Sequence, residues 1–207
     1  MKKVYDAARK DLGTWEWKDG HNPKVLKYFA DVGHDWVKDD ETAWCAAFVG
    51  SKLKEAGLPH TGKLNARSYL DWGQSVEIGS AEPGDVVILW RGSPDSWKGH
   101  VGFFVRFEGE DVILLGGNQN NQVNERSYPA DRILGVRRMK ERTKPTQSKT
   151  VQASAVTMAG GAGTALSAVS GLDQYAQYIV LGFAGLVVLA GLFIMRERLK
   201  AWASGWR

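Results

Sequence analysis

Three short stretches of this chain carry residues that could do chemistry together. The single cysteine, Cys45, lies in Thr42-Ala-Trp-Cys-Ala-Ala-Phe48. Thr42 is a ready helix cap, which would make Cys45 the third helical residue. Free N–H groups and the helix dipole favour a thiolate there. His100 lies in Lys98-Gly-His-Val-Gly-Phe-Phe-Val105, opening an apolar run just after a Gly-containing loop. A neutral imidazole beside a thiol can take its proton and later protonate a leaving amine. Asn118 lies in Leu115-Gly-Gly-Asn-Gln-Asn-Asn121. A third polar group of this kind fixes the tautomer and plane of a catalytic histidine. Each residue also has a plainer role open to it. A lone cysteine is often a small buried hydrophobe, and Asn-rich stretches are often turns. His21, His34 and His60 sit in polar or turn-like contexts and read as surface residues.

Strand geometry links His100 to its partner. Side chains alternate along a strand, so His100, Gly102 and Phe104 share a face, as do Leu114, Gly116 and Asn118. A three-residue hairpin loop sets His100 opposite Asn118 and Gly102 opposite Gly116. A two-residue loop at Gly109-Glu110 sets it opposite Gln119 instead, because a one-residue slip changes the face. Asn118 is the preferred orienter and Gln119 its rival. Trp44 and Trp97 flank the two reactive residues in sequence and are candidates to pack against substrate, and Gln119 is a further candidate to bind it.

Residues 3–12 and 23–32 read as short helices. A helix capped by Thr42 should run to about Ala56 and stop at Gly57, and Asn65 should cap another that ends at Gly73. Pro83-Gly84-Asp85 is turn chemistry before the apolar run 86–90. Runs at 100–107 and 112–119 form a hairpin, with further strands at 122–128 and 133–139. Helices first and a mainly antiparallel sheet afterwards make an α+β fold.

The chain has 207 residues, with Lys+Arg 27 against Asp+Glu 23. A net charge of +4 is weak for a nucleic-acid binder, and none is expected as a partner. One cysteine excludes an internal disulfide framework, and four dispersed histidines argue against a metal site; no cofactor is expected. Residues 1–140 have globular composition. Residues 141–177 read as an Ala/Gly/Ser/Thr-rich linker, with a weak second span conceivable at 151–172. Residues 178–195 are 18 uncharged, mostly apolar positions. At about 1.5 Å rise each they reach roughly 27 Å, close to a bilayer core of about 30 Å. Arg196, Arg198, Lys200, Trp202, Trp206 and Arg207 follow, suiting a cytoplasmic tail over 196–207. The expectation is a single-pass inner-membrane anchor with the globular domain facing the cell wall. Charges at Asp6, Arg9, Lys10 and Asp11 leave no apolar signal-peptide core.

The segments Ala43-Trp-Cys-Ala-Ala-Phe48, Pro83-Gly-Asp-Val-Val87, Gly99-His-Val-Gly-Phe103 and Gly116-Gly-Asn-Gln119, in that order, resemble the CHAP and NlpC-type papain-like cysteine peptidases. The resemblance covers roughly residues 42–139. It implies a helix-borne cysteine packed on an antiparallel sheet that carries the histidine and a polar third member, here Cys45, His100 and Asn118. It further implies peptidoglycan as the partner and hydrolysis of one of its amide bonds. Some members carry an acidic residue two positions before the asparagine; this chain has Gly116. A small wall hydrolase with a membrane span and no export signal resembles phage endolysins and virion-associated lytic proteins. A bacterial wall-remodelling peptidase, a papain-like lipid acyltransferase and a non-catalytic wall binder are the other classes the pattern admits.

Overall fold

The computed structural model describes residues 1–139 and 173–203. The chain divides into two units, Met1–Lys140 and Glu141–Arg207. The expected linker positions 141–172 and the conceivable second span at 151–172 lie outside the described residues.

The first unit opens with three helices. Helix α1 (Lys2–Arg9) buries Val4, Ala7 and Ala8. Helix α2 (Pro23–Asp31) starts cleanly because the Asn22 side chain accepts the Lys24 N–H and Pro23 sits where its missing donor costs nothing. Helix α3 (Cys45–Glu55) is buried on all sides from Cys45 to Leu53. Even Lys52 is covered, which is tolerable because its ammonium pairs with Asp11 and Glu55. The segment after Asn65, expected as a helix to Gly73, is a 3-10 turn over Ala66–Asp71 that Asn65 caps through the Arg67 N–H.

Six strands follow: β1 (Gln74–Val76), β2 (Val86–Trp90), β3 (Gly99–Glu108), β4 (Asp111–Gly116), β5 (Asn124–Pro129) and β6 (Ile133–Arg138). They form one antiparallel sheet in the order β1-β6-β2-β3-β4-β5. The architecture is therefore α+β. Strand β1 is too short and too polar to have been read from its sequence. One face of the sheet, with Val86, Ile88, Val101, Phe103 and Leu115, packs on Cys45, Phe48 and Val49 of α3. The other face carries Val87, Leu89, Phe104, Val112, Leu114 and Val136. Asp85, fully buried before β2, is gripped by both Arg138 Nε and Nη2 at 2.7 Å, so the start of β2 is tied to the end of β6. Gly84 beside it has φ +95°, and a Cβ there would lie 2.9 Å from the Met1 carbonyl oxygen.

The second unit contributes helix α4 (Gln174–Ala203), which begins before residue 178 and continues past 195. Among the described residues no helix is long and apolar enough to cross a membrane, so the span expected at 178–195 is not shown. The described side chains include exposed Ile179, Phe183, Leu186, Leu189, Phe193 and Ile194.

Candidate active site

Cys45 is the first residue of α3, and Trp44 occupies the cap position without a side-chain hydrogen bond. Thr42 does not cap the helix. Its N–H and hydroxyl both donate to Asp39 Oδ1, at 2.7 and 2.8 Å, and close a turn one step earlier. The thiol still stands at a helix N-terminus, with the Ala46 and Cys45 N–H groups directed at the sulfur. The Val101 N–H reaches the same sulfur from β3. Yet the thiol is pushed up, not down. Burial outweighs those donors and the Arg91 charge, so the expected resting thiolate is replaced by a neutral thiol.

His100 precedes Val101, the residue whose amide meets the sulfur. It is 4% exposed, and burial lowers its pKa to about 4, with the Arg91, Arg126 and Arg132 charges adding to the shift. The imidazole is therefore neutral at pH 7. Which nitrogen holds the proton follows from Gln119. The Gln119 amide nitrogen donates to the Asn124 carbonyl at 2.6 Å, to Asn124 Oδ1 at 2.8 Å and to the Leu114 carbonyl at 3.3 Å. Its Oε1 must then be the end that faces the ring, 3.0 Å from His100 Nε2. Only a protonated Nε2 can donate to that oxygen, which leaves the Nδ1 lone pair free as a base. The Tyr128 hydroxyl also donates to Gln119 Oε1, at 3.1 Å. Burial pushes that phenol up to about 12, so it keeps its proton. The Tyr128 ring lies 5.3 Å from the imidazole, centroid to centroid.

Gln119, not Asn118, thus orients the histidine. The hairpin explains why pairing arithmetic could not settle this. Glu108 faces Asp111, so the loop is the two-residue Gly109-Glu110. A bulge between Phe104 and Arg106 then shifts the register, setting Phe103 opposite Leu115. The site end consequently has the register expected for the longer loop. But β4 stops at Gly116, and the chain leaves the ladder before Asn118. Asn118, Asn120 and Asn121 all adopt positive φ, 55°, 54° and 61°. The backbone turns sharply and folds the longer Gln119 side chain back under the ring. Gly116 makes this possible: a Cβ there would lie 2.7 Å from Gln119 Oε1 and 3.3 Å from His100 Nε2. The empty position 116, followed by an amide one residue beyond the expected one, was the available sequence signal.

The tryptophans separate. Trp44 is fully buried, stacks on Tyr28 with centroids 5.8 Å apart and donates its indole N–H to Glu16 Oε1 at 2.7 Å. It is core and cannot touch substrate. Gln119, 1% exposed, likewise serves His100 and not a ligand. Trp97 is 72% exposed and lines a groove of about 510 Å3 with Ala43, Cys45, Leu64 and Asn65. Arg67 holds the loop that carries Trp97, donating to the Pro94 and Lys98 carbonyls at 2.7 and 3.1 Å. A second cavity of about 350 Å3 opens on the His100 side, with Asn118 on its wall. Arg91 borders both. Of the other histidines, His21 is exposed beside Asp40, while His34 and His60 are half-buried and bond to Gly62, not free on the surface as expected.

No family model matches the chain, and no curated protein matches it. Among solved structures, it is similar to a protein from Staphylococcus aureus subsp. aureus Mu50 described as similar to lipoprotein, NLP/P60 family. The two are 16% identical, with a TM-score of 0.41 over 68% of this chain and 41% of that one. The chain thus spans about two fifths of that protein's length.

Proposed function

We propose that the first unit is a cysteine hydrolase that cuts an amide bond in the peptide part of peptidoglycan. The observation that carries this reading is the buried Gln119–His100 relay at the start of β3, one residue before Val101, whose N–H meets the Cys45 sulfur. Gln119 fixes the tautomer in which Nδ1 is a base, and Cys45 is the only thiol in the chain. In the reaction Nδ1 takes the thiol proton as sulfur attacks the scissile carbonyl. The helix-start N–H groups at Cys45 and Ala46 are the local donors for the developing oxyanion. The imidazolium protonates the leaving amine, and water hydrolyses the thioester with His100 again as base. A neutral thiol–imidazole pair suits this order, because the charges appear only when substrate is in place. The wall as substrate rests on the motif resemblance to CHAP and NlpC-type enzymes, and a phage lysis role rests on that resemblance joined to the charge-free stretch 178–195.

The anchoring part of the proposal rests on composition. Residues 178–195 hold no charge and a basic, Trp-containing tail follows. This fits α4 tethering the enzyme in the inner membrane, C-terminus inside, with the first unit toward the wall. The test of function is release of free amines from purified peptidoglycan by the full chain. The expected result is release by wild type and none by Cys45→Ala. Equal release by both would refute the thiol mechanism, and no release by wild type would refute the wall as substrate.

A further inference from the structure

Beside His100 lies the second cavity, and its charge is one-sided. Arg91, Arg126 and Arg132 line it together with His100, Tyr128 and Asn120, and no carboxylate does. Among the described residues none of these three arginines forms a salt bridge. Arg106 and Arg138, also on the sheet, each pair with carboxylates. Two of the three unpaired guanidiniums are held in place. Arg132 donates from Nε and Nη2 to the Trp90 carbonyl, at 3.3 and 2.9 Å, and lies 5.1 Å from the Trp90 ring centroid. Arg126 donates to Asn120 Oδ1 and lies 5.6 Å from the Tyr128 ring centroid. Arg126 and Arg132 are thus held by neutral partners and keep donors to spare. With a net charge of only +4 on the whole chain, three converging cations at one cavity are a local feature and not a general excess.

We propose that this cavity is a carboxylate subsite, by which the enzyme selects acidic peptide substrates. The inference rests on the hydrolase reading above and names what the site would choose. Like charges packed around a cavity repel one another, and an anion between them relieves that cost. A planar carboxylate matches the guanidinium fork, which can bind it through two parallel hydrogen bonds. A neutral glycan would leave all three charges uncompensated. Arg91 borders the Cys45 groove as well, so a peptide with its scissile carbonyl at the sulfur can place a neighbouring carboxylate here.

The test uses the full chain and two substrates: muropeptides released from purified peptidoglycan, and the same muropeptides with their carboxyls converted to primary amides. Amidation leaves the scissile amide untouched. The expected result is a KM about tenfold higher for the amidated set, with kcat changed much less. In the Arg126→Gln/Arg132→Gln double variant that KM ratio falls toward one. Equal KM values for both sets in wild type, or an unaltered ratio in the variant, would overturn the subsite. If wild type cleaves neither set, the hydrolase reading fails on its own. The subsite is then judged by calorimetric titration of the Cys45→Ala chain with both sets. Binding that is lost on amidation supports it, and indifference to amidation contradicts it.

Discussion

At the scale of single residues, the account turns on which side chain holds the imidazole. Gln119→Ala removes the acceptor for Nε2–H and frees the tautomer, so turnover should fall roughly 10²-fold, the usual worth of a positioned acid–base group. Asn118→Ala should cost far less, since Asn118 only borders the cavity. Steady-state kinetics on the two variants decides, and a larger loss for Asn118 would reject the relay. The pH dependence follows from burial. With His100 lowered to about 4, the base stays unprotonated well below an ordinary histidine's range. The acid limb of kcat/KM should fall near pH 4 and not near 6.5. The same shift has a sign for stability. The unfolded chain binds this proton below about pH 6.5 and the folded chain only below about 4. The His100 contribution is thus complete above the unfolded value and is lost progressively as pH falls to the folded one, to the order of 3 kcal/mol. Denaturant titrations at pH 7 and pH 4.5, with His100→Gln as reference, measure it.

At the scale of elements, the decisive feature is where β4 ends. Gly117 lies against α3: a Cβ there would sit 2.4 Å from Trp44 and 2.7 Å from Phe48. Gly117→Ala should therefore push the loop off the helix and cost about 1–3 kcal/mol by overpacking, seen as a lower denaturation midpoint. Gly116→Ala is the subtler change. It should disturb the Gln119–His100 bond and lower turnover more than stability. Both glycines are visible in the sequence, and so are β2 at its full length, the hairpin and the cysteine-bearing helix. The identity of the orienter is not, because it depends on a bulge at Val105 and on left-handed asparagines. Neither shows in hydrophobic alternation. The Thr42 cap failed for a similar reason: Asp39, three residues earlier, accepts both the Thr42 N–H and its hydroxyl and holds that residue in a turn ahead of the helix. The thiol's direction of shift was also hidden, because helix position is legible in a sequence and burial of α3 on every side is not.

At the scale of the whole molecule, the first unit depends on ties between distant segments. Asp85→Ala leaves the Arg138 guanidinium without its bidentate partner and removes the side-chain tie that reinforces the pairing of β2 with β6, between residues 53 positions apart. Loss of about 1–3 kcal/mol is expected, because the partly exposed guanidinium left behind keeps Glu82 and the Ser80 carbonyl; it is read as unfolding free energy. Charge periodicity pointed to none of this, although the Pro83-Gly-Asp85 turn itself was plain. The central claim, however, concerns one bond. Rapid mixing of the full chain with muropeptides, followed by acid quench and intact-protein mass spectrometry, looks for the thioester directly. The account predicts an added acyl mass that maps to the Cys45 peptide and is absent in Cys45→Ala. Turnover at the wild-type rate by Cys45→Ala, or an acyl adduct on any other residue, would contradict it.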